Sequence, residues 1–222
     1  MIGIIGGTGL MGKQLCRHLS QQPELPLRIA SRTPSQQQNE CVQWSRIDLA
    51  DGQGLGRFLQ DVHQLVHLAW NQQPLVDIGG TWRLAYRAAQ YQVQHLLYLS
   101  PAQPDLPFSG NRDNRKEAIL LMRQSGVPLS VVESQPSFEA LLRYCIQTAA
   151  LPLWAIPNGK KIAPLPASQI AGSLATLLAS GNPGQRVVLK GEEQLSLRQL
   201  VSLYRRKPNA TSTAWESFLA GR

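Results

Sequence analysis

Three glycines, Gly6, Gly9 and Gly12, stand three residues apart in the stretch "IIGGTGLMG" near the start of the chain. An apolar run precedes them and a helical pattern follows. Such a turn must bend sharply out of a strand, bring backbone close to a pyrophosphate and let a helix pack tightly on a sheet. A Cβ obstructs each of these tasks. Free N–H groups at the helix start, beginning near Leu10, would face the phosphates with the positive end of the helix dipole behind them. Gly6, Gly7, Thr8, Gly9, Leu10, Met11 and Gly12 are therefore the expected cradle of a dinucleotide. The strand before and the helix after supply the context this motif requires.

The stretch "ASRTP" ends the second apolar run. An acidic residue at that place would accept hydrogen bonds from ribose hydroxyls, and none is present. Ser31 can donate to a phosphate oxygen. Arg32 offers a charged, two-pronged donor suited to a 2′-phosphate. The expected cofactor is NADP(H) in preference to NAD(H). Asp48, followed by Leu49, either places a carboxylate near the adenine amino group or caps the next helix. Ala69 and Trp70 end the fourth run, where backbone would pass close to the ribose. Trp70 is large for that place: it covers the cofactor, narrows the cleft or fills the core.

Alternating elements must position these residues. Short apolar runs at Ile2–Ile5, Leu27–Ala30, Val42–Ser45, Leu65–Ala69, Leu96–Leu99 and Leu129–Val132 show little polar alternation. That is the mark of parallel strands covered on both faces. Between them lie helical stripes: Met11, Leu15 and Leu19; Leu55, Phe58 and Leu59; Trp82, Leu84, Ala85, Ala88 and Ala89; Ala118, Leu121 and Met122. The alternation implies right-handed crossovers and an α/β fold, a Rossmann-type doubly wound parallel sheet. Prolines become frequent after Leu151. Helices at Ser168–Leu178 and Ser196–Tyr204 flank a strand at Arg186–Leu189. The expectation is a dinucleotide-binding domain over residues 1–150 and a small C-terminal α/β subdomain over 151–222, packed on it as one unit.

The 222 residues, 43% of them hydrophobic, suffice for one substantial core. No apolar run reaches the roughly 20 residues of a membrane span, and no signal peptide is evident. Three scattered cysteines suggest neither a disulfide framework nor a metal site, so a cytoplasmic location is expected. The four histidines have no metal spacing either. The net charge of +8 is dispersed, densest at Arg112, Arg115 and Lys116 and at Arg205, Arg206 and Lys207. Neither group is interleaved with aromatics, and no nucleic-acid motif accompanies them.

"GGTGLMG" resembles the short-chain dehydrogenase/reductase superfamily in its extended and atypical branches. The resemblance runs in order over most of the chain: "LRIASRTP", "IDLAD", "LVHLAW", "LLYLSP", "GKKIAPLPASQIAGSLATLLAS" and "VVLKGEEQLSLRQLVSLYRR". It is nearest to NmrA-like NAD(P)H-binding proteins and to the short-chain-like accessory subunit of respiratory complex I. The resemblance implies that Ser100 lies near the nicotinamide and places an arginine where Arg32 stands. It also implies a tyrosine followed four residues later by a lysine, on one helical face, so that the ammonium stabilises a phenolate.

Here the chain departs from the pattern. Lys116 is the natural lysine, but Arg112 stands four residues before it. Counting back without gaps from Ser125–Gly126 gives Arg115, preceded by Asn111. Neither register contains the tyrosine. Tyr86, Tyr91 and Tyr98 lie on neighbouring elements and are expected to pack. In "VVESQPSFEALL" the superfamily's arginine is replaced by Ser134 or Gln135, with Pro136 keeping the turn and Phe138 walling the pocket. Two functions are compatible with these residues. One is an NADP(H)-dependent oxidoreductase on a small carbonyl or quinone, with Ser100 orienting the acceptor oxygen and Lys116 holding the cofactor ribose. The other is a non-catalytic NADP(H)-binding sensor, regulator or assembly factor that acts on a protein partner.

Overall fold

The structure is a computed structural model and describes residues 1–22, 24–33, 42–70, 73–102, 112–159 and 161–206. Cys41, Asn111, the polar loop 35–40, the segment 207–222 and the side chain of Arg112 lie outside the described residues.

Seven strands form one parallel sheet: β1 (Ile2–Ile5), β2 (Leu27–Ser31), β3 (Val42–Arg46), β4 (Gln64–His67), β5 (His95–Pro101), β6 (Leu129–Ser134) and β8 (Arg186–Leu189). Their order is β3-β2-β1-β4-β5-β6-β8. A separate antiparallel ribbon pairs β7 (Lys161–Ile162) with β9 (Leu195–Ser196). The helices are α1 (Leu10–Leu19), α2 (Leu55–Leu59), α3 (Thr81–Gln90), α4 (Arg112–Gln124), α5 (Phe138–Thr148), α6 (Ala167–Ser180) and α7 (Leu197–Arg206).

Side chains alternate along a strand, so β1 sends Ile2 and Ile4 to one face and Ile5 to the other. On the first face, Leu15 and Leu19 of α1 meet Ile170, Leu174 and Leu178 of α6. Each such fully buried leucine contributes about 1.5–3 kcal/mol over exposure. On the second face, Phe58 of α2, Leu84 and Ala88 of α3 and Met122 of α4 close over Leu65, Leu96 and Tyr98. A π-helical turn, Leu75–Gly80, leads into α3.

Trp82 differs from its expected place in the third stripe. It is 48% exposed and stacks on Tyr86 along the outer side of α3. The C-terminal elements also do not segregate by sequence. Arg186–Leu189 is the seventh strand of the main sheet, and α6 belongs to its helical layer. The remainder, α7 with β7 and β9, builds a third core with α5, which precedes residue 151. Burial drives this division: α6 carries a broad apolar face, Ala167, Ile170, Ala171, Leu174, Ala175, Leu177 and Leu178, and needs a large apolar sheet face to cover it.

Candidate functional site

The strand order reverses between β1 and β4, which are hydrogen-bonded neighbours. Chains leaving such a pair diverge to opposite faces and open a crevice at the strand C-termini. A cavity of about 490 Å³ lies there. Gly6 and Gly9–Gly12 wall one side, Trp70 and Ser100–Pro101 the floor, and the segment from Ser134 to α5 the other side.

The glycine turn is built so that side chains cannot enter. Gly6 has φ +88°, and a Cβ there would lie 2.8 Å from the Ala69 nitrogen. A Cβ on Gly12 would lie 2.3 Å from the Gly6 carbonyl oxygen and 2.5 Å from the Gly7 Cα. Gly7 is pressed against Ile29, whereas Gly9 has more room. The first intrahelical bond of α1 is donated by the Lys13 N–H to the Gly9 carbonyl at 2.9 Å. No side chain caps the turn before it. The N–H groups of Leu10, Met11 and Gly12 thus precede the hydrogen-bonded ladder, at the cavity wall.

Next to the turn, the hydroxyls of Thr8 and Ser31 are hydrogen-bonded at 2.9 Å, and the Thr33 N–H donates to Ser31 Oγ at 3.2 Å. Arg32 is exposed and has no hydrogen bond or ion pair to a described residue. Asp48 Oδ1 accepts from the Ala50 N–H at 3.0 Å in a local turn; it does not cap the next helix, α2, whose N-cap is Gly54 with no side-chain cap. Leu49 is buried, and its carbonyl accepts from Arg83 at 2.6 Å. Asp48, Leu49 and Ala69 do not line the cavity; the Ala69 backbone packs directly behind Gly6.

At the other end, Ser100 is 4% exposed and lines the cavity. Arg115 is buried and Lys116 exposed. Arg115 is 3% exposed, donates Nη1–H to the Pro101 carbonyl at 3.0 Å and holds its guanidinium 5.7 Å from the Trp70 ring centroid. Lys116 faces solvent, 3.9 Å from Asp113. Neither lines the cleft, so the structure does not bring Lys116 to the glycine turn. The indole of Trp70 lines the cleft with Arg115 behind it, and its buried Nε1–H finds no acceptor among the described residues. A buried indole N–H ordinarily has a partner.

Tyr98 is 1% exposed in the core, Tyr86 and Tyr91 are exposed, and none of the three lines the cleft. Burial pushes the Tyr98 phenol well above its usual range. His67 donates or accepts through Nε2 with Thr81 Oγ1 at 2.9 Å, and burial lowers its pKa to about 4. His95 is likewise buried against Ser130 and lowered. These histidines are neutral core groups.

Sequence reasoning missed α5. Its residues Arg143, Tyr144 and Gln147 line the cleft opposite the glycine turn. Burial raises the pKa of Tyr144. The signal was present: Ser137 accepts from the Ala140 N–H at 3.2 Å as N-cap, and Phe138, Leu141 and Cys145 form the buried stripe. Ser134, Gln135 and Pro136 line the cleft, but Phe138 does not; it packs in the core between α5 and α7.

A family model described as the NAD dependent epimerase/dehydratase family matches residues 2–104. No curated protein sequence matches significantly. Among solved structures, a nucleoside-diphosphate-sugar epimerase from Staphylococcus aureus is 18% identical with a TM-score of 0.75, covering 92% of this chain and 76% of that one. The dTDP-glucose 4,6-dehydratase of Streptomyces venezuelae, solved with NAD, is 16% identical with a TM-score of 0.76, covering 96% and 82%. The enzyme WbmG of Bordetella bronchiseptica, also in complex with NAD, is 16% identical with a TM-score of 0.69, covering 94% and 78%. At such identities the likeness to these structures is one of fold. The family match covers just under half of the chain and contains the glycine turn, and the strand order agrees with a Rossmann-type fold of the kind these structures share.

Proposed function

We propose that the protein binds NADP(H) in the cleft between the glycine turn and α5, and works without the superfamily's tyrosine–lysine couple. One observation carries this: Gly6 and Gly12 admit no Cβ, and they wall a cavity of about 490 Å³ at the switch point of the sheet. The residues fit the ligand. The N–H groups of Leu10, Met11 and Gly12 would hold the pyrophosphate. Ser31 and the free guanidinium of Arg32 would hold the 2′-phosphate, with no carboxylate there to repel it. The orphan Trp70 Nε1–H is a further donor awaiting a ligand acceptor.

NADPH, when bound, supplies a hydride. Ser100 and Tyr144 line the same cleft, so their hydroxyls can orient an acceptor oxygen and deliver a proton to it. This favours an oxidoreductase acting on a small carbonyl or quinone. Alternatively, occupancy alone is the signal, and the protein is an NADP(H)-dependent sensor, regulator or assembly factor. The observation favouring this alternative is that Arg115, the inward cation of α4, is committed to Pro101 and Trp70 and does not line the cleft. We further propose a cytoplasmic setting.

Thermal shift with NADPH and NADH comes first, because a ligand of the native state raises its stability. Greater stabilisation by NADPH is expected, and none by either would overturn the proposal. Absorbance loss of NADPH with carbonyls, quinones and sugar nucleotides then separates the two functions. Turnover that disappears in Tyr144→Phe identifies the enzyme, whereas tight binding with no turnover across that panel supports the sensor.

A further inference from the structure

A second cavity, of about 610 Å³, lies on the other side of the Ser100–Pro101 strand end. One wall is a single face of α4, because Arg115, Lys116, Ile119, Leu120 and Arg123 fall at i, i+1, i+4, i+5 and i+8. The other wall is the sheet edge: Val131 and Glu133 of β6 and Arg186 of β8. Parallel sheets are ordinarily covered on both faces, but here β8 turns Arg186 and Val188 to solvent, Val188 being 57% exposed. The cavity is the step between α4 and this open sheet face.

Its charges are unbalanced. Glu133 is already engaged by Arg186 through three hydrogen bonds, at 2.9, 3.1 and 3.2 Å. Arg115 donates to the Pro101 carbonyl. Lys116 has only a loose pairing with Asp113 at 3.9 Å, both side chains being 64% or more exposed, which is worth little. Arg123 has no hydrogen bond or ion pair to a described residue. Between these two cations Ile119, Leu120 and Val131 make an apolar floor, and Leu120 is 55% exposed. The volume suits a small molecule.

We infer that this groove is a binding site for a small amphiphilic anion, its carboxylate or phosphate-type head on Lys116 and Arg123 and its apolar body on Ile119, Leu120 and Val131. The site is separate from the glycine-turn cleft, and the two share the wall formed by Ser100 and Pro101.

Fluorescence titration of the full chain with anilinonaphthalene sulfonate, with and without excess NADP, tests this. Saturable binding that persists with NADP is expected. Lys116→Glu/Arg123→Glu should weaken it about tenfold, as loss of two charge-assisted contacts implies. Leu120→Asp should weaken it comparably by charging the floor, while Arg32→Asp should leave it unchanged. Lys116, Leu120 and Arg123 are all on the surface, and an unchanged circular dichroism spectrum verifies folding. Inorganic phosphate, which cannot use the floor, should compete only weakly. Displacement of the probe by NADP, indifference to the double variant, or phosphate competing as well as the amphiphile would each overturn the assignment. So would absence of saturable binding.

Discussion

Two cavities meet at Ser100–Pro101, and they are built from opposite materials. The cleft at the glycine turn is shaped by backbone: Gly6 at φ +88° and Gly12 against the Gly6 carbonyl leave its wall without side chains. The groove beside α4 is shaped by side chains, with Lys116, Arg123 and Arg186 standing around an apolar floor. A backbone wall offers fixed N–H donors to a ligand whose phosphates come to a set distance. A side-chain wall offers mobile cations that adapt to many anions. The first arrangement demands particular residues at particular positions, and the second demands only charge and apolarity on one helical face.

Substitutions can break this contrast, beginning with the largest effect. Gly12→Val should destabilise the fold by roughly 3 kcal/mol through overpacking, lowering Tm by about 6–12 °C, and should abolish stabilisation by NADPH. Differential scanning calorimetry with and without NADPH checks both. An unaffected Tm would mean that the turn has slack and the cleft wall is not fixed by backbone.

Acid acts on the buried core. The folded pKa of His67, about 4, lies below its ordinary 6.5. A histidine lowered in this way stabilises the fold fully above 6.5, and that contribution fades as pH falls toward 4. The loss is roughly 3 kcal/mol. Urea unfolding at several pH values should show it, with His95 adding in the same direction. His67→Gln should flatten much of the slope, and an unchanged slope would assign it elsewhere.

Arg32→Asp should weaken NADPH at least tenfold, about 1.4 kcal/mol, and leave NADH nearly unaffected by isothermal titration. Equal losses would remove the 2′-phosphate assignment. Trp70→Phe keeps the ring and deletes the orphan N–H, so NADPH affinity should fall about fivefold with little change in stability. A loss of stability without loss of affinity would make the indole a packing group. Smallest of all, Glu133→Gln should cost under about 0.5 kcal/mol, since its partner Arg186 is 68% exposed. It should tighten anion binding in the groove two- to threefold and leave the cleft unchanged.

The strands were legible because buried parallel strands are short unbroken apolar runs, and β1 falls where the run Ile2–Ile5 predicts. The ribbon of β7 and β9 was not, because two residues per strand carry no period. Trp82 was misplaced since its helical phase lies near the stripe, while its actual partner, Tyr86, is on the exposed side of the same helix. Helix α5, with Tyr144, was passed over although its N-cap and stripe were readable.

The sequence by itself determined the glycine turn, the class of fold and the missing tyrosine, since each is a matter of residue type at short spacing. Chain separation hid the rest. Which of Arg115 and Lys116 turns inward depends on how α4 sits against Pro101 and Trp70. That Tyr144 lines the cleft with Ser100, and that α4 and β8 frame a second cavity, depends on strands distant in sequence being placed side by side. Only burial of both sheet faces by their helices decides that placement.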